Sequence, residues 1–149
     1  MPTKSISARQ FRIDNNLPVK KPVPKPKRQP GTPRNKWEQE MFNLLTALVK
    51  ANVIFAFGYE GEKMQLTKHC SYKPDFCIVT NKNKTIILEV KSAGRDNQMA
   101  ASILRFRIAA DLYEQYRFVM LTKKAGKWVV KYDLNKGSAE LPKEIVNEQ

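Results

Sequence analysis

The 149-residue sequence contains no apolar run that approaches the ~20 residues of a membrane-spanning helix. Its first twenty residues also lack the apolar centre of a secretory signal peptide. We therefore expect a cytoplasmic protein with no membrane among its partners. A chain of this length is typical of one domain with a core of its own.

Cysteine and histidine are also scarce, with two cysteines and one histidine in the chain. Two cysteines are too few for a disulfide framework. The neighbouring His69, Cys70 and Cys77 lack the fourth ligand and the paired spacing of a structural zinc site. The sequence therefore gives no support to zinc binding, and we expect Cys77 to pack as a small apolar residue.

Acidic residues are nearly absent from the first quarter of the chain. Residues 1–36 carry ten lysines and arginines against one acid, Asp14, and so contribute +9 of the formal net charge of +13. Residues 18–33 hold six of the nine prolines, which predicts an extended, flexible basic arm over 1–33. Such an arm can neutralise DNA phosphates without reading sequence. The alternative is a solubility tail or a cloning remnant. Candidate phosphate contacts are Lys20, Lys21, Lys25, Lys27, Arg28 and Arg34.

Hydrophobic periodicity from Asn35 onward predicts the element order α-β-β-β-α-β-β. A second helix is expected to begin at a cap, Asp96 or Asn97, and to end near Tyr116. The first helix has an apolar stripe that consists of Trp37, Met41, Leu44, Leu45, Leu48 and Val49. The predicted strands cover 53–59, 74–80, 84–91, 117–122 and 127–133.

These elements predict an α/β (α+β) domain over residues 34–133, with a mixed central sheet flanked by helices. Residues 60–71 are polar and are expected to be irregular. Residues 134–149 are expected to form a weakly ordered C-terminal tail.

Two acids and a lysine interrupt the apolar strands of YKPDFCIVTNKNKTIILEVK, residues 72–91. If Asn81-Lys82-Asn83 forms a turn, facing residues have numbers that sum to 164. Asp75 then lies opposite Glu89, with β-carbons ~5 Å apart. Lys91 follows Glu89 by two residues and shares its sheet face. The spacing therefore brings two carboxylates and an ammonium together.

Adjacent carboxylates repel each other unless a proton or a cation lies between them. Their oxygens suit a hard cation such as Mg²⁺, with Mn²⁺ as a substitute, and such an ion also binds phosphate oxygens. The nearby Lys91 can orient or deprotonate a water, or neutralise phosphate charge. The alternative is a surface ion cluster at a strand end.

The first helix contributes a third acid. On a helical wheel Glu38 falls inside the apolar stripe, between Leu45 and Val49, so we expect it to face inward. From there it can reach a bound metal through a water. The alternative is a helix-terminus carboxylate paired with Lys36 or Arg34.

Pro74-Asp75, thirteen intervening residues and then Glu89-Val90-Lys91 resemble the motif of the PD-(D/E)XK nuclease superfamily. The phrase YKPDF followed by ILEVKSAG is most similar to small phage endonucleases, including Holliday-junction resolvases. The resemblance implies a restriction-endonuclease-like αβββαβ core over residues 35–122.

The resemblance also implies roles for individual residues. Asp75 and Glu89, joined by the carbonyl of Val90, match the Mg²⁺ ligands, Lys91 matches the catalytic lysine, and Glu38 matches an assisting helix glutamate. The implied products carry 5′-phosphate and 3′-hydroxyl ends. Glu38, Asp75, Glu89 and Lys91 are accordingly the predicted catalytic residues.

The second helix offers further nucleic-acid contacts. Arg105 and Arg107, with Arg95 before the helix, are candidates for binding phosphates of the scissile strand. Gln98 joins them, because branches of the superfamily place a glutamine on this helix. The alternative for the helix arginines is a solvated face.

The sequence thus predicts a Mg²⁺-dependent DNA endonuclease, structure-specific for junctions or branches, in phage recombination, repair or degradation. If the substrate is a four-way junction, we expect a homodimer, joined through the apolar side of the helices or the C-terminal hairpin. Two alternatives remain: a non-catalytic nucleic-acid-binding module, and a host-takeover protein that acts through its basic arm.

Overall fold

A computed structural model describes residues 31–61, 63–92 and 97–146 of the chain. The predictions for most of the basic arm therefore lie outside the described residues, as does the prediction for Arg95. The arm residues concerned are Lys20, Lys21, Lys25, Lys27 and Arg28.

Helix α1 spans Lys36–Lys50 and begins at a side-chain cap. The Asn35 side chain accepts a 3.0 Å hydrogen bond from the backbone N–H of Glu38, which satisfies a donor that the helix itself leaves free. Met41 and Leu45 are fully buried, at the spacing that the apolar stripe predicts. Glu38 is only 6% exposed, which confirms that it faces inward.

Seven strands follow in the described part of the chain, and five of them form one mixed sheet in the order β1-β4-β5-β6-β7. The strands are β1 (Ala56–Tyr59), β2 (Met64–Thr67), β3 (Cys70–Tyr72), β4 (Phe76–Val79), β5 (Thr85–Lys91), β6 (Arg117–Lys124) and β7 (Lys127–Leu134). Neighbours in this sheet are antiparallel except β5 and β6. Helix α2 (Asn97–Leu112) supplies the crossover that a parallel pair requires. The predicted mixed α/β class is confirmed.

The β4–β5 hairpin has the predicted register. All four of its Cα pairs have residue numbers that sum to 164. Asn83 closes the turn in the left-handed region (φ 57°), which asparagine tolerates better than most residues. One further pair in this register places Asp75 opposite Glu89.

Each face of the sheet carries its own core. The α1 side includes Leu88 and Val90 of β5, whereas Ile87 belongs to the α2 side. Because successive strand residues alternate between faces, Glu89 and Lys91 are also on the α2 side. On that side α2 contributes Ile103, Phe106, Ala109 and Ala110, and Tyr113 packs just beyond its end.

The prediction of an irregular segment over 60–71 is wrong. β2 and β3 form an antiparallel hairpin there, with a register irregularity between Gln65 and Thr67. Leu66 and Tyr72 are buried against α2, while most of the other side chains in the hairpin are exposed or half-buried. One buried side chain in each short strand gives too little alternation for a sequence pattern to indicate a strand.

The prediction of a weakly ordered tail from residue 134 is also wrong as far as residue 146. A short 3₁₀ helix, Lys136–Ser138, follows β7, and Ala139 and Ile145 are buried in the core on the α1 side. Arg117 fixes the start of this segment, since it donates a 2.9 Å hydrogen bond to the carbonyl of Ala139 and pairs with Asp133.

Two element boundaries differ from the prediction by three or more residues. β1 begins at Ala56 rather than at residue 53, and α2 ends at Leu112 rather than near Tyr116. Val53 instead donates its N–H to the carbonyl of Leu48 and closes the end of α1. Within the described ranges, no helix is long and apolar enough to cross a bilayer.

Candidate active site

An open cleft of about 640 Å³ lies at the carboxyl end of β5. Its lining comes from the start of α1, the segment before β4, the end of β5 and the first turns of α2. We call it the carboxylate cleft, because three acids line it: Glu38, Asp75 and Glu89. Lys91 lines it as well, so all four predicted catalytic residues meet in one place.

Asp75 lies immediately before β4 and is held in place by backbone contacts. Its Oδ2 accepts a 2.9 Å hydrogen bond from the N–H of Val90, and its carbonyl accepts a 2.8 Å bond from the N–H of Glu60. These contacts hold the Asp75 carboxylate against the strand that carries Glu89.

Negative charges oppose one another in this cleft. Burial, followed by repulsion from Glu89, raises the pKa of Asp75 to about 8, although the N–H of Val90 favours the ionised form. Glu38 adds a smaller repulsion and Lys91 a smaller attraction. The chain by itself therefore retains a proton near neutral pH, at a position that a cation can take instead.

Glu89 is 4% exposed, and both of its carboxylate oxygens accept hydrogen bonds. The Nζ of Lys91 donates to Oε1 over 2.6 Å, and the hydroxyl of Tyr72 donates to Oε2 over 2.7 Å. Burial and the nearby Glu89 charge raise the pKa of Tyr72 well above its ordinary value, so the hydroxyl stays protonated as a donor. Each carboxylate oxygen has a second lone pair with which to accept another bond or a cation.

Glu38 is held by donors around the start of α1. Its Oε1 accepts a 2.8 Å bond from the Asn35 side chain, and its Oε2 accepts from the N–H of Arg34 (3.0 Å) and from the hydroxyl of Tyr59. Because the Asn35 side chain also accepts from the N–H of Glu38, the two residues are joined by two hydrogen bonds at the helix start. Glu38 therefore stabilises the helix start while it lines the cleft.

Basic side chains besides Lys91 line the cleft, namely Arg34, Lys73 and Arg105. Arg34 and Lys73 both approach Glu60, at 2.5 Å and 3.9 Å. Arg105 is exposed on α2. The cleft thus combines acids with cations that can neutralise phosphates.

The remaining predicted contacts fall elsewhere. Arg107 does not line the carboxylate cleft, and its guanidinium lies 5.5 Å from the centre of the Tyr132 ring. Gln98 belongs to α2, but its side chain lies outside the description, as do Arg95 and the arm. Arg34, the first residue after the arm and the member of that predicted set that the structure describes, lines the cleft.

The oxygen donors fit a hard divalent cation that keeps part of its water shell. Among the described residues, no group of three or more His, Cys, Asp or Glu side chains is arranged to hold a metal ion. Asp75 and Glu89 nevertheless supply the one or two carboxylates that Mg²⁺ ordinarily takes from a protein at phosphate sites. A cation held here would take its other ligands from water, from phosphate and, as the superfamily resemblance implies, from the carbonyl of Val90.

Sequence reasoning missed two residues of this site. Tyr72 stands at the start of the quoted stretch, but its contact with Glu89 depends on the β2–β3 hairpin, which the pattern did not indicate. Lys73 carries a weak signal, since it precedes Asp75 by two residues.

The raised pKa of Asp75 predicts how stability depends on pH without a divalent cation. The folded state holds the proton up to about pH 8, whereas an unfolded aspartate releases it near ~pH 4. Between these values the folded state binds more protons, so the free energy of unfolding should fall as pH rises.

Denaturant titrations in EDTA from about pH 5 to about pH 8 measure this slope. Asp75→Asn removes the titrating group and should flatten the slope relative to the wild type. Equal slopes in the two proteins would contradict the prediction, because every other titrating group is common to both.

Comparison of the chain with protein-family models, with curated proteins and with solved structures found no match. The resemblance to the PD-(D/E)XK superfamily therefore depends on the motif residues and the element order of this chain. What the cleft does is accordingly inferred from its geometry and charge.

Proposed function

We propose that this chain is a Mg²⁺-dependent endonuclease that hydrolyses phosphodiester bonds in DNA. The observation that carries the proposal is the convergence of Asp75, Glu89 and Lys91 in the carboxylate cleft. Burial and the repulsion of Glu89, which together raise the pKa of Asp75 to about 8, oppose its ionisation. A divalent cation removes this penalty, so the arrangement is explained by the ion that it binds.

The roles of the residues follow from their contacts. Asp75 and Glu89, with the carbonyl of Val90, would hold the ion. Bound there, Mg²⁺ would polarise a phosphoryl oxygen and lower the pKa of the attacking water. The Lys91 ammonium has three N–H donors. It gives one to Glu89, and the others can orient that water or neutralise a phosphate oxygen.

Cations at the cleft favour a polyanionic substrate. Arg105 from α2 and Lys73 from the segment before β4 can contact phosphates next to the scissile one. The expected products, with 5′-phosphate and 3′-hydroxyl ends, follow from the superfamily resemblance.

The element order supports assignment to the PD-(D/E)XK superfamily. α1, then β1, β4 and β5, then α2 and β6 follow the αβββαβ order of a restriction-endonuclease-like core. On this assignment the β2–β3 hairpin is an insertion between the first and second core strands.

The proposal is tested with a panel of DNA substrates: linear, nicked, flapped and four-way junction, with a matched RNA. We expect cleavage of at least one DNA in Mg²⁺ and none in EDTA. A chain that cuts nothing in Mg²⁺ or Mn²⁺ but still binds DNA would be the non-catalytic binding module instead.

Deleting residues 1–33 separates catalysis from the basic arm. We expect weaker binding to every DNA and a flatter salt dependence, because fewer phosphate counterions are released. Cleavage should survive at high enzyme concentration, since the carboxylate cleft is intact. Unchanged binding with an unchanged salt slope would give the arm another role. Loss of both DNA binding and cleavage would favour the host-takeover alternative.

Symmetric cleavage of a four-way junction needs two active sites, so we expect a homodimer if the junction is the substrate. Helix α2 exposes Leu104, Ile108 and Leu112 along one line, on the side opposite the buried Phe106 and Ala110. We expect this stripe to be the dimer contact.

Sedimentation of wild type and Leu104→Glu, on and off DNA, measures this contact. The variant should shift the equilibrium to monomer, whereas Phe55→Glu, at an exposed apolar residue outside α2, should not. A wild type that is monomeric in both conditions would indicate an enzyme that nicks one strand.

A further inference from the structure

We infer that Tyr72 is a positioning residue whose hydroxyl fixes the Glu89 carboxylate in the orientation that binds the cation. This inference rests on the proposed function and adds to it a residue outside the motif of Asp75, Glu89 and Lys91. It also gives a role to the β2–β3 hairpin, whose buried residues Leu66 and Tyr72 belong to the core on the α2 side.

The Tyr72 ring is clamped by packing. It is 4% exposed, and it contacts Phe106 of α2 edge to face, with ring centres 6.3 Å apart and planes at 84°. Phe106 is fully buried and packs in the same way on Phe118 of β6. The hydroxyl is therefore held by a chain of aromatic contacts that spans β3, α2 and the central sheet.

Tyr72 and Lys91 donate hydrogen bonds to different oxygens of the Glu89 carboxylate. Tyr72 donates to Oε2 over 2.7 Å and Lys91 donates to Oε1 over 2.6 Å. The terminal torsion of a glutamate is broad when it is unrestrained, so two donors on different oxygens fix the plane of the group. Bonds to an ionised acceptor are also stronger than neutral ones.

The two donors are not equivalent. Lys91 has a long side chain and is the proposed partner of water and phosphate, so its contact with Glu89 can change during a reaction cycle. The Tyr72 hydroxyl has no such freedom, because its ring is packed on both α2 and the hairpin. Tyr72 therefore keeps Glu89 oriented when Lys91 turns to the substrate.

The same cleft supplies a matched control. Tyr59 also donates its hydroxyl to a cleft acid, Glu38. Glu38, however, accepts two further bonds, from Arg34 and Asn35, and it is not a proposed direct ligand. Tyr59→Phe thus removes a hydroxyl-to-carboxylate hydrogen bond of the same kind, together with the bond that the hydroxyl accepts from the Arg34 N–H, and neither bond involves Asp75 or Glu89.

The test is calorimetric titration of the full chain with Mn²⁺ in the absence of DNA. Removing a hydrogen bond that orients a metal ligand commonly weakens affinity by roughly 10- to 100-fold. We expect Tyr72→Phe to raise the Mn²⁺ Kd by such a factor and Tyr59→Phe to leave it near the wild-type value. Circular dichroism in EDTA verifies that each variant is folded.

Cleavage adds a readout that a merely structural role would not produce. Tyr72→Phe should need roughly 10- to 100-fold more Mg²⁺ for half-maximal cleavage, yet approach the wild-type rate at saturation. A purely structural defect would lower the saturated rate instead. Phe106→Leu, which keeps the hydroxyl but loosens the ring, should weaken Mn²⁺ binding by a smaller factor.

The outcomes separate this inference from the proposed function. If Tyr72→Phe binds Mn²⁺ as the wild type does while the wild type cuts DNA, Tyr72 has no positioning role and the nuclease proposal stands. If the wild type neither binds Mn²⁺ nor cuts any substrate, the proposed function itself is wrong.

Discussion

Replacing Asp75 by asparagine or Glu89 by glutamine is expected to lower the rate of Mg²⁺-dependent DNA cleavage by about 10³-fold or more. Losses of this size are usual when one of several cooperating groups is removed from an active site. Each substitution keeps the shape of the side chain and removes the negative charge that the carboxylate would carry when the ion is bound. The ion then loses one of the two carboxylates that the carboxylate cleft offers it. Lys91→Ala should abolish cleavage as well, because it removes the group that orients the water.

DNA binding should survive in these variants. In EDTA near neutral pH, Asp75→Asn should bind uncut DNA as the wild type does, because Asp75 is protonated below about pH 8. Glu89→Gln removes a negative charge near the phosphates, so its affinity should be equal to or greater than that of the wild type. Glu140→Gln is the matched control, since Glu140 is an exposed acid whose partner, Lys82, lies in the β4–β5 turn, at the opposite end of the hairpin from Asp75 and Glu89. Wild-type cleavage by either carboxylate variant would refute the mechanism.

Stability distinguishes a functional acid from a structural one. Burial and the charge of Glu89 disfavour the ionised form of Asp75 and together raise its pKa to about 8. Asp75→Asn should therefore be at least as stable as the wild type near neutral pH in EDTA, while it loses cleavage. A structural ion pair would behave in the opposite way, because breaking it leaves a charge uncompensated.

The central hairpin and the acids could be predicted from sequence because one short-range signal fixes both. The Asn81-Lys82-Asn83 turn sets the register, and Asn83 takes the left-handed conformation that closes it. Once the register is known, residues two apart on one strand share a face. The position of Glu38 was also predictable, because a carboxylate inside an apolar stripe must face the core.

The hairpin that supports Glu89 could not be predicted in this way. Its strands are four and three residues long, and each presents one buried side chain, Leu66 or Tyr72. Such short runs carry no detectable period, and their pairing depends on the tertiary surface of α2. The orientation of Glu89 therefore depends on Tyr72 of this hairpin as well as on Lys91 of the motif.

The C-terminal segment was missed for a related reason. Half of residues 135–146 are polar, and the apolar side chains that pack on the core there are too few to show a helix or strand period. Burial of Ile145 depends on a path fixed by Arg117, which pairs with Asp133 and donates to the carbonyl of Ala139. Contacts of this kind join residues that are far apart in the chain, so local composition does not reveal them.

Ile145→Ala is accordingly expected to lower the free energy of unfolding by about 2–5 kcal/mol, the usual cost of an isoleucine-to-alanine change in a packed core. Ile145 is 1% exposed and contributes to the cluster that contains Met41, Leu88 and Leu121. The total free energy of unfolding of a small domain is roughly 5–15 kcal/mol. The loss should therefore be evident as a lower midpoint in a urea titration at unchanged m-value. Phe55→Ala, at an apolar residue that is 70% exposed and lies outside α2, is the control and should cost far less. Equal midpoints for Ile145→Ala and the wild type would mean that the segment after β7 does not pack on the sheet in solution.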